Sequence, residues 1–230
     1  MTEDPRTLYQ QLNFAIITHH KVDQSLLISV LLDNPNLDVN NKSPSNNRTI
    51  LHAAAIHQGN HPDPVRMLLA APGIEVNAVD KLSNTPLNLA CTHNRWRTCE
   101  ALLDDPRVDV DLRDQYGASP LWNALYFGHD RVLKALILSG RQIDLETRSV
   151  GTKGDNDSGW RGMTALEVGA AQGMIGACDL LQRFMADPLT TRHRVQLETG
   201  SKGMHHHPLF WWEGTRDSGR ASPMVLHWGA

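Results

Sequence analysis

A seven-residue phrase returns four times in this chain: TILHAAA from Thr49, TPLNLAC from Thr85, SPLWNAL from Ser119 and TALEVGA from Thr164. The copies begin 36, 34 and 45 residues apart. Self-similarity at such a period is the mark of a solenoid, whose units cannot bury their apolar faces alone and do so against their neighbours. The phrase therefore restricts the fold to a stack of similar supersecondary units. The long last interval predicts an insertion before the fourth copy.

Each phrase opens a unit of constant order: helix, short turn, second helix and connecting loop. In SPLWNALYFGHDRVLKALILSGRQIDLETR, Pro120 stands at the start of a helix, where its missing N–H costs nothing. Gly128 falls where the chain must reverse, a place for a residue tolerant of positive φ. Leu133, Leu136 and Ile137 come next at helical spacing, and Ile143 opens the loop. The preceding copy has Asn94 in place of Gly128, a mild departure because Asn also tolerates the left-handed turn. The copy at Thr49 is longer between its helices, and Pro62 and Pro64 predict an extended approach to a helix carrying Val65, Met67 and Leu68.

In this order the features resemble ankyrin repeats, over residues 5–187. The resemblance implies an all-α solenoid of helix-turn-helix units with connecting loops. Five units are expected: a degenerate cap at 5–45, then 46–81, 82–115, 116–147 and 160–187, with an inserted loop at 148–159. In the cap, Leu8, Leu12 and Ala15, then Leu26, Leu27, Val30 and Leu31, form two apolar stripes, and NPNLDVN matches the loops APGIEVN and DPRVDVD. The fifth unit carries Ile175, Cys178, Leu180 and Leu181 before Asp187 and Pro188 end it. Only the copy at Thr49 keeps the phrase's histidine, His52, which in the family ties adjacent phrases by hydrogen bonds. Asn88, Trp122 and Glu167 stand in its place, so an incomplete ladder between units is expected. By resemblance alone, Asn77 in EVNAVD, and less closely Asn40, is similar to asparagines hydroxylated in other ankyrin domains; a turn hydrogen bond is the plainer reason for Asn there.

A net charge of −3 argues against the basic field of a nucleic-acid binder. Arg183, Arg192, Arg194 and Arg216 do gather, but acidic residues are mixed among them, as on a solvated surface. No uninterrupted apolar run is long enough to span a membrane, and the first twenty residues lack the pattern of a secretory signal. Cys91, Cys99 and Cys178 are odd in number and lack metal-binding spacing, which reads as reduced, buried thiols. A cytoplasmic chain, or a nuclear one, is expected, monomeric by itself.

No motif for phosphate binding, zinc hydrolysis or an acyl-transfer nucleophile occurs, so no catalysis and no cofactor are expected. The sharpest exception is His205, His206 and His207, since imidazole is a common metal ligand. Adjacent histidines do not easily face one ion and no supporting carboxylate or cysteine is spaced to help, which leaves a polar patch in the tail as the plainer reading; His19 and His20 read the same way.

Function is then expected in surface. The resemblance implies a scaffold that holds a protein partner along the concave face and the loop tips, or a regulatory ankyrin subunit of a larger complex. At concave positions Tyr126 and Phe127 stand out, since aromatic anchors dominate binding energy, with His93 on the copy before. Trp122 is expected in the core. Arg113 and Tyr116 mark one tip, and Arg148, Trp160 and Arg161 flank the insertion, where Trp160 is either an anchor or a clip holding the loop to the array. The tail at 188–230 shows no helical stripe of useful length, yet Phe210, Trp211, Trp212 and Trp228 are too apolar for a plain linker. It reads as a flap over the end of the fifth unit, a short recognition motif, a separate metal-assisted activity, or a partly disordered terminus.

Overall fold

A computed structural model of the chain describes residues 5–18, 25–57, 60–150 and 160–200. Eleven α-helices occupy them: α1 (Pro5–Thr18), α2 (Ser25–Leu32), α3 (Ile50–Ile56), α4 (Asp63–Ala70), α5 (Pro86–Thr92), α6 (Trp96–Leu103), α7 (Pro120–Tyr126), α8 (Asp130–Leu138), α9 (Ala165–Ala171), α10 (Ile175–Ala186) and α11 (Pro188–Thr199). Among the described residues the one extended pairing is the isolated bridge between Arg148 and Thr164.

Each phrase makes a helix because its first residue caps it. Thr85 Oγ1 accepts from the Asn88 N–H at 3.1 Å and Ser119 Oγ from the Trp122 N–H at 3.2 Å, satisfying donors that the helix start leaves free. Thr164 and Glu167 form a capping box, in which the glutamate reaches back to the Thr164 N–H at 2.8 Å. The reversals after the first helices are left-handed at Asn94 (φ 58°) and Gly128 (φ 67°). The helices then stack in two rows, with α1, α3, α5, α7 and α9 as an inner row and α2, α4, α6 and α8 behind it. Leu87, Leu121 and Leu125 of the inner row and Leu102, Leu133 and Leu136 of the outer row fill the space between successive units.

Four expectations change. The chain before α4 is not extended: Pro62 is already helical (φ −78°, ψ −20°) and Pro64 lies in the first turn, where proline is tolerated. In the cap, Ile28 and Leu31 face inward while Leu26, Leu27 and Val30 lie exposed, so the stripe points the other way. Ile175 is likewise on the surface, while Cys178 and Leu181 are buried. Residues 188–199 form α11, against the expectation of a tail without a useful helix. Asp187 both ends α10 and starts α11, accepting from the Thr190 N–H at 3.1 Å, and Pro188 takes the first helical position. The new helix packs against α8 and α10, burying Thr191 and Val195. It thus lies against the outer row, on α8 and α10. The tail residues from 201 on, with Phe210, Trp211, Trp212, Trp228 and the histidines 205–207, lie outside the described residues, as do His19 and His20.

Candidate functional site

Three sets of hydrogen bonds join the units and hold the binding surface in register. The first starts from the phrase. His52 Nδ1 accepts from the Thr49 N–H at 3.1 Å, so Nε2 carries the proton that reaches the Asn84 carbonyl at 3.0 Å. Trp122 repeats the reach, donating from Nε1 to the Met163 carbonyl at 3.2 Å, whereas Asn88 donates from Nδ2 to the Leu112 carbonyl in the loop of its own unit, at 2.8 Å. The ladder is thus incomplete, as expected: His52 and Trp122 place an N–H on the carbonyl just before the next phrase, and Asn88 does not. Burial holds the His52 imidazole below its ordinary pKa, outweighing the favourable Asn84 carbonyl and the nearby Asp80 carboxylate, and so keeps it neutral.

The second set lies in the loops. Asn40 donates to the Gly73 carbonyl and accepts from the Glu75 N–H, each at 2.8 Å. Asn77 repeats both bonds with Arg107 at 2.8 Å and Asp109 at 2.9 Å. The side chain of Asn77 is thus committed to the next loop, a bond across units and not within a turn. Asp111 takes the third place and accepts from the Asp144 N–H at 2.9 Å.

The third set joins the loop tips, where the N–H groups of Lys81, Gln115 and Val150 donate to the carbonyls of Asn46, Leu82 and Tyr116 at 2.8–2.9 Å. Val150 therefore still belongs to the tip, and Arg148 and Ser149 to the hairpin stem, paired with Thr164 and Met163. Residues 151–159 lie outside the described ones.

At the far side of this insertion Trp160 comes back onto the array. Its carbonyl accepts from Ser149 Oγ, and its ring meets Tyr126 edge to face at 5.9 Å. Tyr126 also stacks on Trp122 at 5.0 Å and meets Phe127 edge-on at 4.8 Å. Trp122 is buried, as its place in the sequence predicts. Tyr126 is half-buried between two tryptophans, more enclosed than expected, while Phe127 is 41% exposed at the end of α7. The Phe127 ring lies parallel to His129 at 5.9 Å. No sequence pattern marks His129, since Arg95 and Met174 occupy its place in the neighbouring units. Its Nε2 donates to the Thr92 carbonyl at 3.1 Å, and burial holds its imidazole below the ordinary value.

The other expected residues fall into two groups. Arg148 is exposed but engaged, donating to the Gly162 carbonyl at 2.7 Å and to Glu167 at 3.1 Å. Arg113 faces Asp144 at 3.5 Å, and Tyr116, half-buried, donates its N–H to Asp114 at 2.9 Å. Arg113 thus reaches the loop of the next unit, whereas Arg148 and the Tyr116 N–H bond within their own hairpins. His93 and Arg161 are exposed, and Arg161 directly follows Trp160 at the edge of the aromatic cluster. Tyr126, Phe127 and Trp160 are thus brought together, whereas His93 and Arg113 sit on the preceding unit.

Among the described residues no three His, Cys, Asp or Glu side chains gather as metal ligands, and no helix is long and apolar enough to cross a membrane. The cysteines are free, and Cys91 and Cys99 lie 3.8 Å apart between α5 and α6, with burial pushing the Cys99 thiol up.

Capped phrase, left-handed reversal, second helix and hairpin tip, repeated in register, define an all-α repeat array. The ankyrin-repeat family model matches residues 46–81 and 83–115, so the chain carries ankyrin repeats there, within an all-α array of the same kind. A bovine SMC5-SMC6 complex localization factor protein 1 is 35% identical over 102 residues, 44% of this chain and 9% of its own length. A putative ankyrin repeat protein of Rickettsia bellii is 35% identical over 89 residues, 39% of this chain and 48% of its own. Human ankyrin repeat domain-containing protein 63 is 32% identical over 123 residues, 51% of this chain and 30% of its own. In each case the match spans less than half of the relative. Ankyrin arrays are protein–protein interaction modules.

Proposed function

We propose that the chain is a non-catalytic scaffold holding a protein partner against the concave face and loop tips of its C-terminal half. The observation that carries this reading is the aromatic cluster beside the insertion. Phe127, at the end of α7, is 41% exposed although α3, α5, α7 and α9 leave no large apolar side chain exposed, and it rests on Tyr126, which two tryptophans hold still. An anchor already fixed in place loses little entropy when a partner covers it. Arg161, Arg148 and Tyr116 supply polar groups around it, and Arg113 and His93 extend the surface over the preceding unit. The tips cannot move independently, because hydrogen bonds lock each to the next.

The bovine relative, by name a localization factor for a complex, agrees with tethering. The test uses Phe127→Ala, because Tyr126→Ala would also leave a void beside Trp122. Capture from native cell extract with the wild-type chain is compared with the variant. The expected result is a set of partners weakened about tenfold or more, a loss of roughly 1.4 kcal/mol or greater, with the melting temperature within a degree or two of wild type. Partner capture indifferent to Phe127→Ala, and also to Arg161→Ala, would move the binding surface elsewhere.

A further inference from the structure

The surface least like that of a free protein end is at the other terminus of the array. Outer faces of terminal repeats are ordinarily polar, since nothing stacks on them. Here the side of α1 and α2 opposite their buried residues displays Phe14 at 64% exposure, Leu26 at 79%, Leu27 at 41% and Val30 at 60%. On a helical wheel, Leu26 and Val30 lie opposite the inward Ile28, and Phe14 opposite Leu12. Apart from its two serines, the helix SLLISVLL is apolar all round, a pattern that belongs to helices covered on both sides.

No side chain from Thr7 to Thr18 or from Ser25 to Leu32 is charged. A face without charge cannot choose a partner by charge, nor does it repel a copy of itself. The exposed parts of the four side chains amount to roughly 450 Å² per copy, over half of the ~800 Å² that each partner of a stable interface contributes. Their polar neighbours Thr7, Gln10 and Gln11 extend the patch. A two-fold pairing of these helices would set apolar against apolar in a closed, isologous contact, the commonest symmetry of soluble proteins.

We propose that the end face formed by α1 and α2 docks against the same face of a second copy of this chain, giving a homodimer with its two concave surfaces free, in place of the monomer expected from sequence. The pairing does not depend on the partner-binding reading and is tested without a partner. Sedimentation velocity of the full chain at tens of micromolar should give twice the 25.6 kDa chain mass. Leu26→Glu with Val30→Glu should return the chain mass at the same concentration, with helical content and melting temperature of each subunit retained, because both positions are exposed. If that pair of changes disturbs folding, Phe14→Lys offers the same test from α1. A chain lacking residues 201–230 should stay dimeric. Overturning results are a wild-type monomer, a dimer that ignores all three substitutions, dissociation on removing 201–230, or a mass that climbs steadily with concentration as an open head-to-tail contact would require.

Discussion

At the fourth position of the phrase, His52 and Trp122 share no shape, yet each delivers one N–H to the carbonyl just before the next phrase, whereas Asn88 turns to Leu112 in its own loop. The requirement is for a donor long enough to reach across, and an imidazole and an indole both meet it. The loop ladder is less tolerant. Asn40 and Asn77 donate and accept at once, whereas the carboxylate of Asp111 can only accept. Burial pushes its carboxyl above the usual range, and Asp144 and Asp109 add to the effect, so the folded state favours the protonated form. The corresponding stabilisation is complete below the unfolded pKa of about 3.9 and is lost as pH rises through the higher folded value. Asp111→Asn should therefore stabilise the chain at pH 7, by about 1 kcal/mol or a few degrees in melting temperature, because an amide in this register can donate to the Gln142 carbonyl. The gain should shrink as pH falls towards 4. Calorimetry at both pH values checks it, and an equal gain at each would refute the protonation argument.

Among the elements, α11 shows how a start signal can pass for a stop. Asp187 and Pro188 end α10, and the same pair is a helix cap followed by a proline at the first position. Only Thr191 and Val195 are buried along α11, so it carries no stripe that periodicity could detect. Its place comes from contacts made far along the chain. Arg192 donates to the Ile137 carbonyl at 2.9 Å at the end of α8, and its guanidinium lies 5.2 Å from the centre of the Phe184 ring. Arg141 reaches in the same manner to the Asp105 carbonyl just beyond α6, and Arg107 to the Leu69 carbonyl of α4. Arg192 thus continues from a different element a capping role that the loops supply earlier. A chain ending at residue 187 should melt below one ending at 200 by the equivalent of about 2–3 kcal/mol, the scale of one buried aliphatic side chain plus a charged hydrogen bond. Equal melting temperatures would show that α11 merely rests on the surface.

Taken as a whole, the array is nearly one-dimensional, since each unit is stabilised by its neighbours alone. Damage should therefore spread according to position. Leu121→Ala, in the fully packed fourth unit, should cost about 2–5 kcal/mol and lower amide protection in the units on both sides. Leu12→Ala should loosen α1 and α2 while α5 to α8 keep their protection, which hydrogen exchange read helix by helix will distinguish. Residues close in sequence were enough to determine the capped phrase, the left-handed Asn94 and Gly128, the apolar spacing of Leu133, Leu136 and Ile137, and hence the kind of repeat. These depend on local geometry and a repeating period, and both are written along the chain. The reach of His52 and Trp122 to the next unit, the outward turn of Leu26 and Val30, the enclosure of Tyr126 by Trp160, and the seat of α11 depend instead on pairs about 30 to 55 residues apart. Tertiary structure decided them, because a side chain's period says which face it occupies, and only the neighbouring unit says whether that face is covered.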